Sequence, residues 1–503
     1  MAQIKGIKIV SKVEVKTKED LAIVYTPGVA ASCLKIKENE EASFDYTNRE
    51  NSVAVISFDY KKSLERAIFL KNTLNIDAYP FEISSTDENK IKFVVENIEP
   101  SFAAIDLSLI SDKVQNINFN VNIPVLKGAV NDLKSFFLCV SKNLFMFKYE
   151  NLTGTTNEKS LQLRKMAGGV VEVELTKEEQ KKPVAIVSDG SAVLGLGDIK
   201  GLAGLPVMEG KAVLFQELGD VSALPLCIKT QKAQEIVELV LLLQNSFSGV
   251  NLEDIKAPRC FEVEDKLIEQ ADIPIFHDDQ HGTAIVVLAA LLNALHLAQK
   301  KIEDVKIVFS GAGAAAIAVC KLILSVGAKN IIMFDIDGAI YSGREQNNFA
   351  HEEISKFTNK EMFKGSLKDG IKNADVFIGL SAPNLLDEQM IKSMKEKAII
   401  FALANPTPEI MPDVAKGYGA FITASGRSDF PNQINNSLVF PGLFNGVLKS
   451  GIKKITNEIK LDCAFALASI VKDGELSPEH ILPDALDRQV PETISSVLCS
   501  KKD

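Results

Sequence analysis

Between residues 303 and 345 the chain reads strand, glycine turn, helix, strand, and few folds accept that order. Val305 to Phe309 is an apolar, β-branched run, and Gly311-Ala-Gly313-Ala-Ala-Ala316 is the turn that follows. Ala315 to Val326 has the composition of a buried helix, and Asn330 to Phe334 is the next strand, ending at Asp335. Two strands joined through a helix must lie parallel, and a parallel sheet is covered by helices on both faces. Gly311 and Gly313 permit the tight turn and the close approach of a pyrophosphate to the helix that Ala314 opens. Ala316 is the small residue at the third glycine position. Asp335 lies about twenty residues on, where a carboxylate accepts from a ribose 2′-hydroxyl and repels a 2′-phosphate; NAD is therefore preferred to NADP.

The alternation continues through Asp375 to Leu380, Ala398 to Leu403 and Ala420 to Thr423. Polar turns follow these strands: Ser381-Ala-Pro-Asn384, Ala404-Asn-Pro-Thr-Pro408 and Ala424-Ser-Gly-Arg427. The fold class expected is α/β, with a doubly wound parallel-sheet Rossmann domain over 281–450. An α/β substrate and divalent-cation domain is expected from 1–50 and 183–280, and a smaller inserted α/β domain over 51–147. The polar stretch 148–182 reads as a connector, and 451–503 as a helical tail with loops near Pro478 and Pro483. A chain of 503 residues accommodates two to four such domains.

Two acidic pairs sit where strands end: Glu253-Asp254 after Phe247-Ser-Gly-Val250, and Asp278-Asp279 after Asp272-Ile-Pro-Ile-Phe276. A lone acidic pair is ordinarily a solvated turn or a helix cap. Carboxylates at the carboxyl ends of strands are different, because α/β folds keep their chemistry there. Hard divalent cations take several carboxylate oxygens converging on one point, and Glu253, Asp254 and one of Asp278 or Asp279 supply them. A metal beside a nicotinamide suggests oxidation of a hydroxy acid, with the metal polarising the product carbonyl.

The net charge of −10 disfavours nucleic acid as a partner, since phosphate neutralisation needs a basic surface. Thr283 to Ala298 is the most apolar stretch, but it holds Asn293 and His296 and is short for a bilayer, so no membrane is expected. The seven cysteines are scattered without a CxxC or His/Cys ligand spacing, and the first residues lack the apolar core of a signal peptide. A soluble cytoplasmic protein with reduced thiols is expected. Cys260 reads as a small buried hydrophobe. His277 and His281 read as hydrogen-bonding neighbours of a carboxylate site rather than as ligands.

Tyr25-Thr-Pro-Gly-Val-Ala30, Asp189-Gly-Ser-Ala-Val-Leu-Gly-Leu-Gly-Asp198, Met208-Glu-Gly-Lys211 and Asn251-Leu-Glu-Asp-Ile255 resemble malic enzymes of the bacterial type. So do His277-Asp-Asp-Gln-His-Gly-Thr-Ala284, Ala404-Asn-Pro406 and Ser425-Gly-Arg-Ser-Asp-Phe-Pro-Asn-Gln-Ile-Asn-Asn436. The resemblance covers 1–50 and 183 to near the C-terminus, and 58–180 lie outside the usual pattern. It implies oxidative decarboxylation of (S)-malate to pyruvate and CO2 with reduction of NAD, by a homodimer or higher homo-oligomer. Glu253, Asp254 and Asp279 are implied to hold Mg2+ or Mn2+, Lys211 to take the hydroxyl proton, and Tyr25 to protonate C3. Asp278 would tune this relay, while Asn405 and Asn435 or Asn436 bind the substrate carboxylate. On the cofactor side the implied residues are Gly311, Gly313, Ala314, Ala316, Asp335, Ser381 and Asn405. A neutral lysine is needed, so a desolvated site beside the metal should lower its pKa. Two departures stand out: Lys200-Gly201 replaces the usual Gly-Pro, and Ala316 replaces a glycine. The alternatives are a malolactic or oxaloacetate decarboxylase using the same metal and lysine, and a catalytically inactive regulatory subunit.

The segment outside the pattern reads as a decayed copy of the substrate domain. At a constant offset of 145 positions, Ile76–Ile110 and Val221–Ile255 share 9 of 35 residues without a gap, several times the chance expectation. Val53-Ala-Val-Ile-Ser57 mirrors Val184-Ala-Ile-Val-Ser188, and Ile123-Pro-Val-Leu126 mirrors Ile273-Pro-Ile-Phe276. The chemical positions have gone. Ser108 and Leu109 stand for Glu253 and Asp254, Gly128 and Ala129 for Asp278 and Asp279, and Arg66 for Lys211. The copy is expected to keep the fold without a metal site.

Overall fold

The computed structural model describes residues 4–25, 28–123, 125–127, 169–178, 181–193 and 195–501. It divides into two compact units, residues 1–255 with 262–275, and residues 256–261 with 276–503. The expectations for Gly128 and Ala129, and for the connector up to residue 168, lie outside the described residues.

The first unit opens on strand β1 (Gly6–Ser11). A parallel sheet follows, built from β2 (Ser52–Ser57), β3 (Asp77–Glu82), β4 (Ala104–Asp106) and β5 (Val125–Leu126), in the order β3-β2-β4-β5. Helices Tyr60–Leu74 and Glu88–Ile98 make its crossovers. Strand β6 (Val171–Thr176) then pairs antiparallel with β1, Ile9 opposite Val173. The composition of 148–182 suggested a connector throughout. Within 171–176, however, alternate residues Val171 and Val173 are buried while Glu172 and Glu174 point outward, and the partner strand lies far away in sequence. A period of two inside a charged stretch gives an edge ribbon rather than a linker.

The second sheet of this unit uses β7 (Val184–Ser188), β8 (Ala223–Cys227) and β9 (Gly249–Glu253), in the order β8-β7-β9, and β10 (Ile275–His277) begins on the unit's last residue. Strands β7, β8 and β9 are buried along their whole length, as parallel strands covered on both faces must be. Helix Lys200–Gly219 links β7 to β8, and helix Ala233–Leu243 links β8 to β9.

Within helix Lys200–Gly219, the Glu209 carboxyl accepts from the backbone N–H of Asn48 (2.6 Å) and of Val170 (3.2 Å). Burial outweighs these hydrogen bonds and pushes its pKa up to about 7.

The second unit is a six-stranded sheet made of β11 (Lys306–Ser310), β12 (Asn330–Asp335), β13 (Gly338–Ala339), β14 (Val376–Gly379), β15 (Ile399–Ala402) and β16 (Ile422–Ser425). Its order is β13-β12-β11-β14-β15-β16, parallel except for β13. This is the doubly wound arrangement expected from 303 onward. Its topological switch falls between β11 and β14, where such sheets bind ligands. Strand β16 starts and ends two residues later than its apolar run suggests. Ala424 and Ser425 continue the ladder opposite Phe401 and Ala402, and this pairing outweighs the turn preference of Ser-Gly.

Helix Thr283–Ala298 is the most apolar element, and Asn293 at its middle is satisfied inside the unit. Its Nδ2 donates to the carbonyls of Ala468 (3.0 Å) and Ile481 (2.9 Å). That anchors the tail helix Asn457–Ala468, which with Gln489–Cys499 forms the expected helical end. The run Asp278–Ala298 is long and apolar enough to cross a membrane by composition, but it is mostly buried within the protein, as a core helix is.

Candidate active site

In the first unit the chemistry-bearing residues gather at the carboxyl end of β9. Glu253 is the last residue of that strand, and Asp254 follows with a left-handed backbone, φ 54°. Both carboxylates are buried, at 2% and 4% exposure. Lys211 comes from the middle of helix Lys200–Gly219 and is fully buried, with its Nζ on Glu253 Oε1. The Tyr25 hydroxyl donates to the same Glu253 oxygen at 3.4 Å, and the lysine ammonium lies 5.9 Å from the centre of the tyrosine ring.

Gly210 explains how Tyr25 reaches this place. A Cβ at residue 210 would stand 1.9 Å from the carbonyl oxygen of Val24, so only glycine lets the helix carrying Lys211 touch the backbone beside Tyr25. Sequence reasoning missed Asn251, whose Nδ2 donates to Glu253 Oε2 at 3.0 Å and fixes the carboxylate from the other side. Its signal is spacing: 251 and 253 face the same side of one strand.

Two adjacent carboxylates buried this deeply are costly unless cations lie against them. Lys211 supplies one positive charge. The donor set is otherwise oxygen only, the set a hard divalent cation takes, so these residues fit Mg2+ or Mn2+.

In the second unit Asp278 and Asp279 follow β10 in a widened helical turn, Asp278–Gly282, that runs into helix Thr283–Ala298. Buried His277 places Nδ1 3.7 Å from Asp279 Oδ2, in keeping with its reading as a neighbour of the carboxylate. A Cβ on Gly282 would lie 2.0 Å from Asp278 Oδ1 and 3.1 Å from Asn436 Cβ, so the glycine lets both residues close over it. Asn435 Oδ1 accepts from Ser437 N at 2.9 Å and shapes the turn that presents Asn436. Asn405 lies against Gly426, where a Cβ would meet its Nδ2 at 2.6 Å.

At the switch point Gly311 has φ 111°, and a Cβ there would strike the Leu380 carbonyl at 2.5 Å. The two crossover turns therefore touch, with Ser310 Oγ and Ser381 Oγ 2.8 Å apart. Gly313 caps the helix Ala314–Ser325, and a Cβ built there would meet nothing within 4 Å, which leaves room for a phosphate; Ala316 is buried against the core. Sequence reasoning also missed Glu409. This buried carboxylate accepts from Ser381 N (2.9 Å) and Ala404 N (3.0 Å) and so ties the turns after β14 and β15 together.

Asp335 ends β12 as expected, but with an unforeseen partner. Arg344 donates Nη1 to Asp335 Oδ1 at 2.8 Å and Nη2 to Oδ2, and Asp337 N adds a third bond to Oδ1 at 2.9 Å. Burial alone would raise the Asp335 carboxyl. The hydrogen bonds from Arg344 and Asp337, with the charges of Arg344 and His351, outweigh it and hold the pKa below the usual range.

A doubly wound sheet with this turn and acid at its switch defines a dinucleotide-binding α/β protein, and a separate unit carries the buried lysine and carboxylates. Family models agree with this division. Residues 5–70 and 149–235 match the malic enzyme N-terminal domain, and 280–498 match the malic enzyme NAD-binding domain. The chain therefore belongs to the malic enzyme family. It is 50% identical over 315 residues to an NAD-dependent malic enzyme of Geobacillus stearothermophilus, a stretch covering 63% of this chain and 66% of that protein. It is also 50% identical over 316 residues to a bifunctional malic/malolactic enzyme of Bacillus subtilis, covering 63% of this chain and 77% of that protein. Among solved structures, an NAD-dependent malic enzyme of Thermotoga maritima matches with a TM-score of 0.60 and 33% identity, over 97% of this chain and 94% of that one. The N-terminal match runs to residue 70 and resumes at 149, so the family pattern takes in 58–70 and 149–180, which the motifs alone leave outside it.

Proposed function

We propose that the chain oxidises (S)-malate with NAD and a divalent cation and releases pyruvate and CO2, with Lys211 as the base and Tyr25 as the acid. The observation that carries this reading is the buried contact of Lys211 with Glu253 beside the Tyr25 hydroxyl. Lys211 Nζ, in its neutral amine form, takes the proton of the malate C2 hydroxyl as hydride leaves C2 for the nicotinamide, giving oxaloacetate. Loss of the C4 carboxylate as CO2 leaves an enolate, and the Tyr25 hydroxyl protonates its C3 to give pyruvate. Glu253, Asp254 and Asp279 hold Mg2+ or Mn2+, which when bound polarises the ketone and carries the enolate charge. Asp278 tunes the proton relay. Asn405, with Asn435 or Asn436, holds the substrate carboxylate. Gly311, Gly313, Ala314, Ala316 and Ser381 receive the NAD phosphates, and Asp335 receives the adenosine ribose. The protein works in the cytoplasm as a homodimer or higher homo-oligomer.

The malolactic alternative has a specific observation behind it, the 50% identity to a bifunctional relative, and it uses the same residues without net release of NADH. Glu253→Gln tests the metal assignment. It removes one charged ligand and should raise the Mg2+ or Mn2+ concentration for half-maximal activity by roughly 10- to 100-fold, as loss of a tuned ligand interaction does. An unchanged metal requirement in a titration of chelator-treated enzyme would remove Glu253 from the ligand set.

A further inference from the structure

The two sheets of the first unit share a wiring diagram and a register. Val53 of β2 pairs with Ala78 and with Ala104, and Val184 of β7 pairs with Ala223 and with Gly249. Ala78 and Ala223, like Ala104 and Gly249, are 145 positions apart. The equivalence reaches single hydrogen bonds. Ile83 N donates to Ser57 O and Ile228 N to Ser188 O, while Ala103 N donates to Ser52 O and Ser248 N to Pro183 O. The crossover helices end alike, on left-handed Asn75 and left-handed Asp220, again 145 apart. Arg66 stands at the helix position of Lys211, and it pairs at 2.9 Å with Asp106, the counterpart of Asn251 and not of Glu253.

The contacts between the two sheets repeat with the two copies exchanged. Ser84 N donates to Leu242 O, and Lys229 N donates to Asn97 O, both at 3.0 Å. Glu82 N donates to Ser246 Oγ, and Cys227 N donates to Ser101 Oγ, both at 2.8 Å. Each serine also donates back, Ser246 to Glu82 O and Ser101 to Cys227 O. In every pair the two donors are 145 positions apart and so are the two acceptors, with the copy that donates in one contact accepting in the other. Contacts of that kind define an isologous, two-fold interface. Two α/β segments packed by ordinary sheet and helix rules have no reason to match residue for residue.

We propose that residues 52–126 are a built-in partner: a duplicated copy of the 184–275 fold that occupies the face through which that fold would pair with a second copy of itself. The inference rests on the duplication and on this reciprocal packing, not on the proposed activity, and neither serine lies in the candidate site. The copy has lost the lysine and the carboxylates, so its retained role is to cover this face and brace β7 to β9, which carry Glu253 at their end.

Ser101→Arg puts a bulky charge on the built-in partner only. It should unseat the copy, leave the self-complementary face of 184–275 intact, and double the mass of the full chain relative to wild type in sedimentation velocity. Ser246→Arg spoils that face itself and should leave the mass at the wild-type value. The same change in both variants, or no change in Ser101→Arg, overturns the proposal. If the arginine variants do not fold, hydrogen exchange on Ser101→Ala decides. The amides of Glu82, Ser84, Cys227 and Lys229 should all exchange at least tenfold faster, because one reciprocal surface opens as a unit. Acceleration confined to Cys227, the residue that loses its own bond, contradicts it.

Discussion

Lys211→Ala is expected to lower kcat for malate-dependent NAD reduction by about 10²- to 10⁴-fold, the range for loss of a positioned general base. Decarboxylation of added oxaloacetate should fall as well, because the same buried pocket closes on Lys211, Tyr25 and Glu253. Binding of NAD, read by fluorescence titration, should be unaffected, which separates a chemical defect from an unfolded one. That control matters, since removing one partner of a buried pair leaves Glu253 without its ammonium and costs roughly 3–5 kcal/mol. Turnover near the wild-type rate in a variant that still binds NAD would remove Lys211 from its role as base.

Asp335→Ser should shift cofactor choice by more than the loss of one carboxylate implies. In the wild type Arg344 is committed to Asp335 through both nitrogens. The substitution removes the charge that repels a 2′-phosphate and at the same time releases a guanidinium beside it. Two effects of roughly 1.5–3 kcal/mol each would raise the ratio of kcat/KM for NADP over NAD by at least 100-fold. Adding Arg344→Ala should take back most of that gain. A wild-type enzyme that already prefers NADP, or a single variant with an unchanged ratio, would refute the assignment of Asp335.

Both predictions rest on residues legible in the sequence to different degrees. Asp335 was readable because the strand-turn-helix-strand order fixes where a carboxylate must fall after the glycine turn. Arg344 was not, since its place depends on how β13 folds back beside β12, which no local pattern encodes. Glu253 and Asp254 were readable as an acidic pair at a strand end. Asn251 and Glu409 look like ordinary polar residues until the chain is folded and their hydrogen bonds to Glu253, Ser381 and Ala404 appear. Strand β6 was hidden because charged residues dominate its neighbourhood and its partner, β1, lies far away in sequence. Lys200 shows a cost that sequence comparison flagged without explaining. It occupies a left-handed backbone, φ 64°, where the family pattern has glycine, and a side chain there is strained by about 1 kcal/mol or more.

The repeat was visible in the 145-position identities because core positions decay slowly when the fold is kept. The reciprocal packing was not visible, since hydrogen bonds between main chains leave no mark on composition.

The central claim is tested most directly by following NADH absorbance and product together when (S)-malate is added to chelator-treated enzyme with NAD, before and after Mg2+ or Mn2+ is restored. The expected result is no turnover without the cation and, once it is added, one NADH formed for each pyruvate. Lactate in place of pyruvate without accumulation of NADH, or undiminished NADH formation in the chelated enzyme, would contradict it.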